Sequence, residues 1–125
     1  KFLIPKIVRH YKNKAATLQL GNLNVSRDFS NVRWIAQVYV ALLALENEEQ
    51  HIVNLCSGEM SSIDEVLEVV RRLTGVNLRI QSSKAHVRAA DIVRQCGNNE
   101  RLYQMLPTLP RPITISDTLK EMVLG

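Results

Sequence analysis

Apolar residues recur at three- and four-residue spacing in parts of this chain, which is the pattern of helices with one buried face. In residues 2–14, Leu3, Ile7 and Tyr11 lie four apart, while basic residues occupy the other faces. Further helices are predicted at 32–47, 63–73, 98–106 and 114–124. Short apolar runs predict strands at 17–20, 51–56 and 78–80, and an irregular or strand-like segment at 87–93. This alternation of helices and short strands predicts an α/β domain.

Capping residues predict where two of these helices begin and where one ends. Ser62 and Glu65 have the spacing of a capping box, in which each side chain bonds the backbone N–H of the other. Gly75 follows the predicted end of that helix, where a left-handed residue is favoured. Thr114, with Asp117 three residues later, is predicted to open the last helix.

The predicted helix at 32–47 carries apolar side chains on nearly all of its faces. They are Trp34, Ile35, Ala36, Val38, Tyr39, Val40, Leu42, Leu43 and Leu45. A helix of this kind must be covered on most sides. A domain of 125 residues can cover it only in part, so the pattern predicts a neighbour that this chain does not supply.

Length and composition indicate one globular domain over residues 1–125, with 46% hydrophobic and 22% charged residues. The formal charge of +4 is compatible with an anionic ligand. The chain has no basic run with interleaved aromatics, which is the pattern that would predict nucleic-acid binding. The longest apolar run, at 34–45, is too short to span a bilayer. We therefore expect neither a nucleic-acid partner nor a membrane partner.

The cysteines and histidines predict neither a metal site nor catalysis. Cys56 and Cys96 form no metal spacing and no disulfide framework, and their apolar neighbours predict buried thiols of a cytoplasmic protein. The histidines show no ligand pair with a carboxylate; they are His10, His51 and His86. The first residues contain neither a start Met nor a signal region, so the N-terminus resembles a cut inside a longer chain.

The most informative segment lies at residues 21–32 and reads Gly-Asn-Leu-Asn-Val-Ser-Arg-Asp-Phe-Ser-Asn-Val. It follows a predicted strand and precedes the apolar helix, so it should hold Arg27 in one fixed place. A guanidinium held in this way can clamp a phosphate. Spacing alone, however, favours a salt bridge from Arg27 to Asp28 or another acidic neighbour. Asn22 lies in the turn and tolerates a left-handed conformation there.

This segment resembles the G-N-L-D-x-x-R-D-F/W-x-H-V-x-D pattern of the extended short-chain dehydrogenase/reductases of the NAD-dependent epimerase/dehydratase family. The nearest branch is that of GDP-mannose 4,6-dehydratase-like and reductase-like enzymes. Asn31 and Trp34 stand where the pattern has His and Asp. The resemblance runs through nearly the whole chain but covers only the C-terminal portion of such an enzyme. It implies a small substrate-binding domain, with helices packed on short strands and without the Rossmann half.

The resemblance also implies a set of ligand contacts. For the diphosphate these are Arg27, Arg88 and Lys6, and for the ribose and base they are Asp91, Asn22 and Val25. Val87-Arg88-Ala89-Ala90-Asp91-Ile92 is similar to the family's R-P-x-E/D-V/I segment, although Ala89 replaces the Pro. Without the resemblance, Arg88 and Asp91 would be a surface pair, and Lys6 a solvated lysine.

The function implied is nucleotide-sugar binding, with a GDP-sugar favoured over a UDP-sugar. The chain contains neither a G-x-x-G-x-x-G motif nor a Tyr-x-x-x-Lys pair. The cofactor site and the catalytic residues therefore belong to the missing Rossmann half, where intact family members bind NAD(P). We expect no cofactor, no metal and no activity in this chain alone. The alternative is a non-catalytic interaction or assembly module, acting with another chain or as a homodimer.

Overall fold

The computed structural model describes residues 2–45, 52–82 and 92–125. In chain order the elements are α1 (Leu3–Lys12), β1 (Thr17–Leu20), β2 (Ser26–Asp28), α2 (Val32–Leu43), β3 (Met60–Ser62), α3 (Ile63–Thr74), β4 (Arg79–Ser82), β5 (Arg94–Gln95), α4 (Glu100–Met105) and α5 (Ile115–Leu124). Helices packed on short strands confirm the predicted α/β class. None of the helices in these ranges has the length and hydropathy needed to cross a membrane.

The strands form two small sheets. β1 pairs in parallel with β4, with Leu18 opposite Ile80. β2 is the central strand of the other sheet, between antiparallel β3 and parallel β5. Arg27, in the middle of β2, is opposite Ser61 on one side and Gln95 on the other. Since hydrogen-bonded neighbours flank β2 on both sides, the backbone at Arg27 is fixed by the sheet.

The larger core lies between α1, α3, α5 and β1. Its fully buried members include Ile7, Leu18, Val70 and Leu119. The apolar stripe of α3 faces this core, as the helical spacing predicted. Burial of each such side chain contributes about 1.5–3 kcal/mol. This core supports the first sheet and fixes the turn that leads into β2.

A smaller core joins α2 to α4. Its buried members are Trp34, Val38, Leu102 and Leu106. Trp34 is fully buried, and its indole Nε1–H donates to the carbonyl of Pro110 at 2.9 Å. Trp34, which stands where the family pattern has Asp, therefore anchors the smaller core. A buried indole needs such a partner for its N–H.

Local signals correctly predicted several boundaries. β1 has the predicted bounds, and Ser62 and Glu65 make both bonds of the capping box, at 2.8 and 3.1 Å. Gly75 ends α3 in the left-handed conformation with φ 67°. The Thr114 hydroxyl accepts from the Asp117 N–H at 3.1 Å and caps α5. Each of these signals involves residues within one helical turn.

The predicted strand at 51–56 is wrong for residues 52–56, which have no strand pairing in the described structure. A strand requires a ladder partner, and the apolar pattern alone cannot supply one. Val53 and Leu55 instead pack against the smaller core. The strand at Met60–Ser62, which pairs with β2, was not predicted. The residues 46–51 and 83–91 lie outside the described ranges.

The prediction of two buried thiols is also wrong. Cys96 is exposed and Cys56 is half-buried, and both are free thiols. Cys96 directly follows β5, whose residues Arg94 and Gln95 are exposed. The apolar neighbours of Cys96 in the sequence, Ile92 and Val93, are exposed as well. A short apolar run in this place therefore does not predict burial.

Candidate functional site

A polar cleft of about 500 Å³ opens beside the three-stranded sheet. Its walls are formed by Arg27, Asp28, Ser30, Val53, Asn54, Leu55, Cys56, Gln95 and Gly97. One wall is the segment at 53–56, and another is the end of β5. The volume is within the range of small-molecule sites. A polar cleft with a guanidinium in its wall is suited to an anionic ligand.

Arg27 is half-buried and lies on the central strand. Its Nη1 donates to the carbonyl of Ser26 at 2.9 Å and to that of Val93 at 3.4 Å. The bond to Val93 connects the guanidinium to the segment just before β5. The sheet and these carbonyl contacts therefore hold the guanidinium of Arg27 at the cleft wall. The sequence pattern predicted that this segment would hold Arg27 in one fixed place.

Asp28 binds backbone and hydroxyl donors from two loops. Oδ1 accepts from the N–H and the hydroxyl of Ser57, the former at 3.0 Å. Oδ2 accepts from the N–H of Gly58 at 2.9 Å and from that of Gly97 at 3.3 Å. The hydroxyl of Ser30 lies 3.4 Å from Oδ1. Sequence reasoning considered Asp28 only as an ion-pair partner and missed this junction.

Two glycines permit the close approach of these loops. A Cβ on Gly97 would lie 2.3 Å from Sγ of Cys56, which no real contact allows. Gly58 has φ +78°, and a Cβ there would lie 2.9 Å from Nδ2 of Asn99. That same Nδ2 donates to the carbonyls of Cys56 and Ser57 at 3.1 and 2.9 Å. The junction is therefore tight and largely hydrogen-bonded.

Asn31, which stands at the family pattern's His position, caps α2. Its Oδ1 accepts from the N–H of Arg33 at 2.8 Å, with Trp34 N at 3.4 Å. Its Nδ2 donates to the hydroxyl of Thr118 at 3.0 Å, which ties the start of α2 to α5. An Asn directly before an apolar helix is a known cap signal, so this role could have been predicted.

The other predicted ligand residues lie elsewhere or outside the described structure. Lys6 donates from Nζ to the carbonyl of Gln19. Val25 is buried in the larger core, and Lys6, Asn22 and Val25 are not among the cleft's described lining residues. Arg88 and Asp91 lie outside the described residues. The ligand roles of all five therefore stay predictions.

One conformational expectation for this turn is wrong. Asn22 does not adopt a left-handed φ. Its Oδ1 instead accepts from the N–H of Asn24 at 3.0 Å. This is an Asx-type turn, which a side-chain oxygen can close with ordinary backbone angles. The turn is still fixed by Asn22, but through its side chain rather than through a positive φ.

The chemistry of the cleft favours binding over covalent catalysis. Burial, followed by the neighbouring Asp28 carboxylate, raises the pKa of the Cys56 thiol. A raised pKa keeps this thiol protonated at neutral pH, and a protonated thiol is a poor nucleophile. In the described part of the chain, no three His, Cys, Asp or Glu residues group as a metal site would require.

Comparison with known proteins supports the family resemblance of the segment at residues 21–32. No protein-family model matches the chain. It is 32% identical over 110 residues to GDP-6-deoxy-D-mannose reductase of Pseudomonas aeruginosa, covering 88% of this chain and 36% of that protein. It is 28% identical over 123 residues to GDP-6-deoxy-D-talose 4-dehydrogenase of Aggregatibacter actinomycetemcomitans, covering 97% of this chain and 41% of that protein.

The fold agrees as well. A structure of RMD from Pseudomonas aeruginosa complexed with NADPH superposes with a TM-score of 0.86 at 29% identity. The superposition covers 98% of this chain and 41% of that one. The chain thus spans about two fifths of the length of the proteins that it matches. It belongs to the extended short-chain dehydrogenase/reductase family and corresponds to the C-terminal part of its members.

Proposed function

We propose that this chain is the sugar-nucleotide-binding portion of an NAD(P)-dependent nucleotide-sugar epimerase, dehydratase or reductase. The observation that carries the proposal is Arg27, fixed on a central strand in the wall of a polar cleft of about 500 Å³. The names of two relatives support a GDP-sugar over a UDP-sugar as the ligand.

In this proposal, Arg27 donates paired N–H groups to the diphosphate. Such charge-assisted bonds are worth about 1.5–3 kcal/mol. The resemblance further assigns Arg88 and Lys6 to the diphosphate, and Asp91, Asn22 and Val25 to the ribose and base. Of these, Lys6, Asn22 and Val25 do not line the described cleft, so their contacts would require a ligand that extends beyond it.

We expect no nicotinamide cofactor site in this chain. Its five glycines form no G-x-x-G-x-x-G turn, and Gly58 and Gly97 are already used at the Asp28 junction. We therefore assign NAD(P) and the hydride chemistry to a Rossmann half, and we expect this chain alone to be inactive. The two free thiols support a cytoplasmic location, where cysteines stay reduced.

The exposed face of α2 supports the second candidate, an assembly role. Val32, Tyr39, Val40 and Leu43 are between 58% and 86% exposed, although all are large and apolar. Ile52, the first residue of the unpaired segment at 52–56, is 87% exposed. Contiguous apolar surface of this kind marks an interface. In the favoured proposal the Rossmann half covers it, and in the alternative a second copy or another chain does.

Calorimetric titration of the chain with GDP-mannose and with UDP-glucose tests the proposal. We expect tighter binding of GDP-mannose, and a loss of about 10-fold or more in affinity for Arg27→Ala, because a bidentate phosphate contact is removed. Arg88→Ala should weaken binding similarly. Arg27→Lys keeps the charge but not the fork, and should fall between wild type and Arg27→Ala.

The matched control is Arg101→Ala, which removes an exposed Arg on α4 that does not line the cleft. It should leave the affinity unchanged. If neither nucleotide binds the wild type, and the chain elutes as a dimer in size-exclusion chromatography, the binding proposal fails and the assembly role gains. Equal losses for Arg101→Ala and Arg27→Ala would show that only net charge matters.

A further inference from the structure

The Asp28 carboxylate joins three separate stretches of the chain at one end of the sheet. It belongs to β2, and its oxygens bind donors of Ser57 and Gly58 in one loop and of Gly97 in another. The register explains why this is possible. Asp28 is opposite Met60, and β3 is antiparallel, so the residues just before β3 lie beside the end of β2. β5 is parallel, so its C-terminal end lies there too.

One loop adjoins a wall of the Arg27 cleft and the other contributes to a wall. The loop held by Oδ1 and Oδ2 directly follows the lining segment at 53–56, and Gly97 itself lines the cleft. The two walls touch, since Gly97 lies against Cys56. Asp28 is thus positioned to set the separation of the walls, one residue away from the guanidinium.

Hydrogen bonding at the junction offsets part of the repulsion between the Asp28 carboxylate and an anion beside it. A carboxylate near a diphosphate would ordinarily weaken binding through like-charge repulsion. Here the backbone N–H dipoles of Ser57, Gly58 and Gly97, with the Ser57 hydroxyl, point at the carboxylate oxygens. Donors arranged in this way stabilise the charge locally, as in other charge-assisted bonds. The guanidinium of Arg27 can therefore act on a ligand although an acid follows it in the chain.

We propose that Asp28 is the positioning residue of the Arg27 cleft: its carboxylate holds the 57–58 loop and Gly97 in place, and this fixes the walls between which the nucleotide diphosphate binds. The ligand part of this inference rests on the proposed function. Although Asp28 also lies at the cleft wall, its role in this proposal is exerted through the backbone that it binds.

The test compares wild type with Asp28→Asn and with Asp64→Asn, a matched control on the exposed side of α3. Asn keeps one oxygen acceptor, but its NH₂ group would face the N–H groups now bound to Oδ2. We expect hydrogen exchange at the Gly58 and Gly97 amides, followed by NMR, to speed up about 10-fold or more. GDP-mannose affinity, measured well below the melting transition, should fall about 10-fold.

The control should change neither readout. Unchanged exchange at both glycines in Asp28→Asn would overturn the proposal, and so would changed exchange with wild-type affinity. A merely structural role would lower the melting temperature without changing the affinity of the folded protein. If Asp28→Asn does not fold, Ser57→Ala removes a single hydroxyl donor and should give smaller shifts of both readouts in the same directions; no shift would count against the proposal.

The experiment also separates this inference from the proposed function. If the wild type binds no GDP-mannose, the nucleotide-sugar proposal fails by itself. The exchange rates of Gly58 and Gly97 still decide whether Asp28 holds the two loops. If exchange is slow and depends on Asp28 but no nucleotide binds, the role of Asp28 in holding the loops stands and the nucleotide part of the proposal fails.

Discussion

At the scale of single residues, neighbours in the sequence have different tasks. Arg27 lines the cleft with its guanidinium, whereas Asp28 organises the loops around it. Asn31 caps α2, and Trp34 anchors the smaller core. This segment therefore serves both the proposed site and the fold. Asn31 and Trp34, which depart from the family pattern, have structural roles.

Gly97→Ala tests how tightly the loops meet. The new Cβ would lie 2.3 Å from Sγ and 2.7 Å from Cβ of Cys56, so the backbone or the thiol must move. We expect the free energy of unfolding to fall by about 1–3 kcal/mol, which is the typical cost of overpacking a well-packed protein interior. Urea denaturation monitored by circular dichroism measures this.

The double variant that combines Cys56→Ala with Gly97→Ala supplies the comparison. It removes the Sγ contact but leaves the Cβ contact at 2.7 Å, so it should recover only part of the loss. No loss for Gly97→Ala alone would show that the two loops are not in contact. Full recovery in the double variant would show that the thiol alone was the obstacle.

The Arg27 prediction depended on the strand before it and the helix after it, and both are present. The Asp28 junction was not predictable, because its partners at 57–58 and 97 are about 30 and 70 residues away. Sequence spacing contains no information on which distant backbone amides will meet a given side chain. The glycines at 58 and 97 were signals of tight turns or close approach, but they did not identify a partner.

At the scale of elements, helix boundaries were set by local chemistry. Ser62 and Glu65 form the capping box of α3, and Gly75 closes the helix. Because these bonds are made within one turn, residue types at fixed spacing are enough to predict them. Strands are different, since half of each hydrogen-bonded ladder comes from elsewhere in the chain.

Ser62→Ala tests the cap. It removes the acceptor of the Glu65 N–H, now 3.1 Å away, and should lower the free energy of unfolding by about 0.5–2 kcal/mol. Thermal denaturation in parallel with Ser116→Ala provides the check. Ser116 is exposed within α5, where Ala is the better helix former, so that control should be neutral or slightly stabilising. Equal effects of the two substitutions would contradict a specific cap.

At the scale of the whole molecule, the two cores leave one side of α2 uncovered. Trp34 and Val38 face the smaller core, while Val40 and Leu43 are 68% and 86% exposed. The prediction that this helix needs more cover than the chain provides is consistent with these exposures. The two proposed functions differ in what would cover this side of α2.

Leu43→Lys with Val40→Lys tests this surface. The exposed apolar residues of α2, here called the stripe, are Val32, Tyr39, Val40 and Leu43. Because the stripe is exposed, we expect the wild-type chain to associate with increasing concentration and the double variant to stay monomeric in sedimentation velocity. Lys is compatible with the C-terminal end of a helix, so stability should change by less than about 0.5 kcal/mol.

Leu124→Lys is the matched control, since Leu124 is 67% exposed near the end of α5 and is not part of the stripe. It should associate like the wild type. A wild type that stays monomeric at every concentration would show that the stripe is not adhesive by itself. Association that survives the double variant would place the contact elsewhere.

The sequence by itself determined the helices, most of their ends, the first strand and the position of Arg27 next to an apolar helix. All of these follow from periodicity and capping between residues close in the chain, whose physics is local. The tertiary structure alone decided that 52–56 forms no strand, that β2 is a central strand and that Asp28 joins two distant loops. Those features depend on which partners the folded chain brings together, because ladders, close contacts and clefts are made between segments that no local pattern connects.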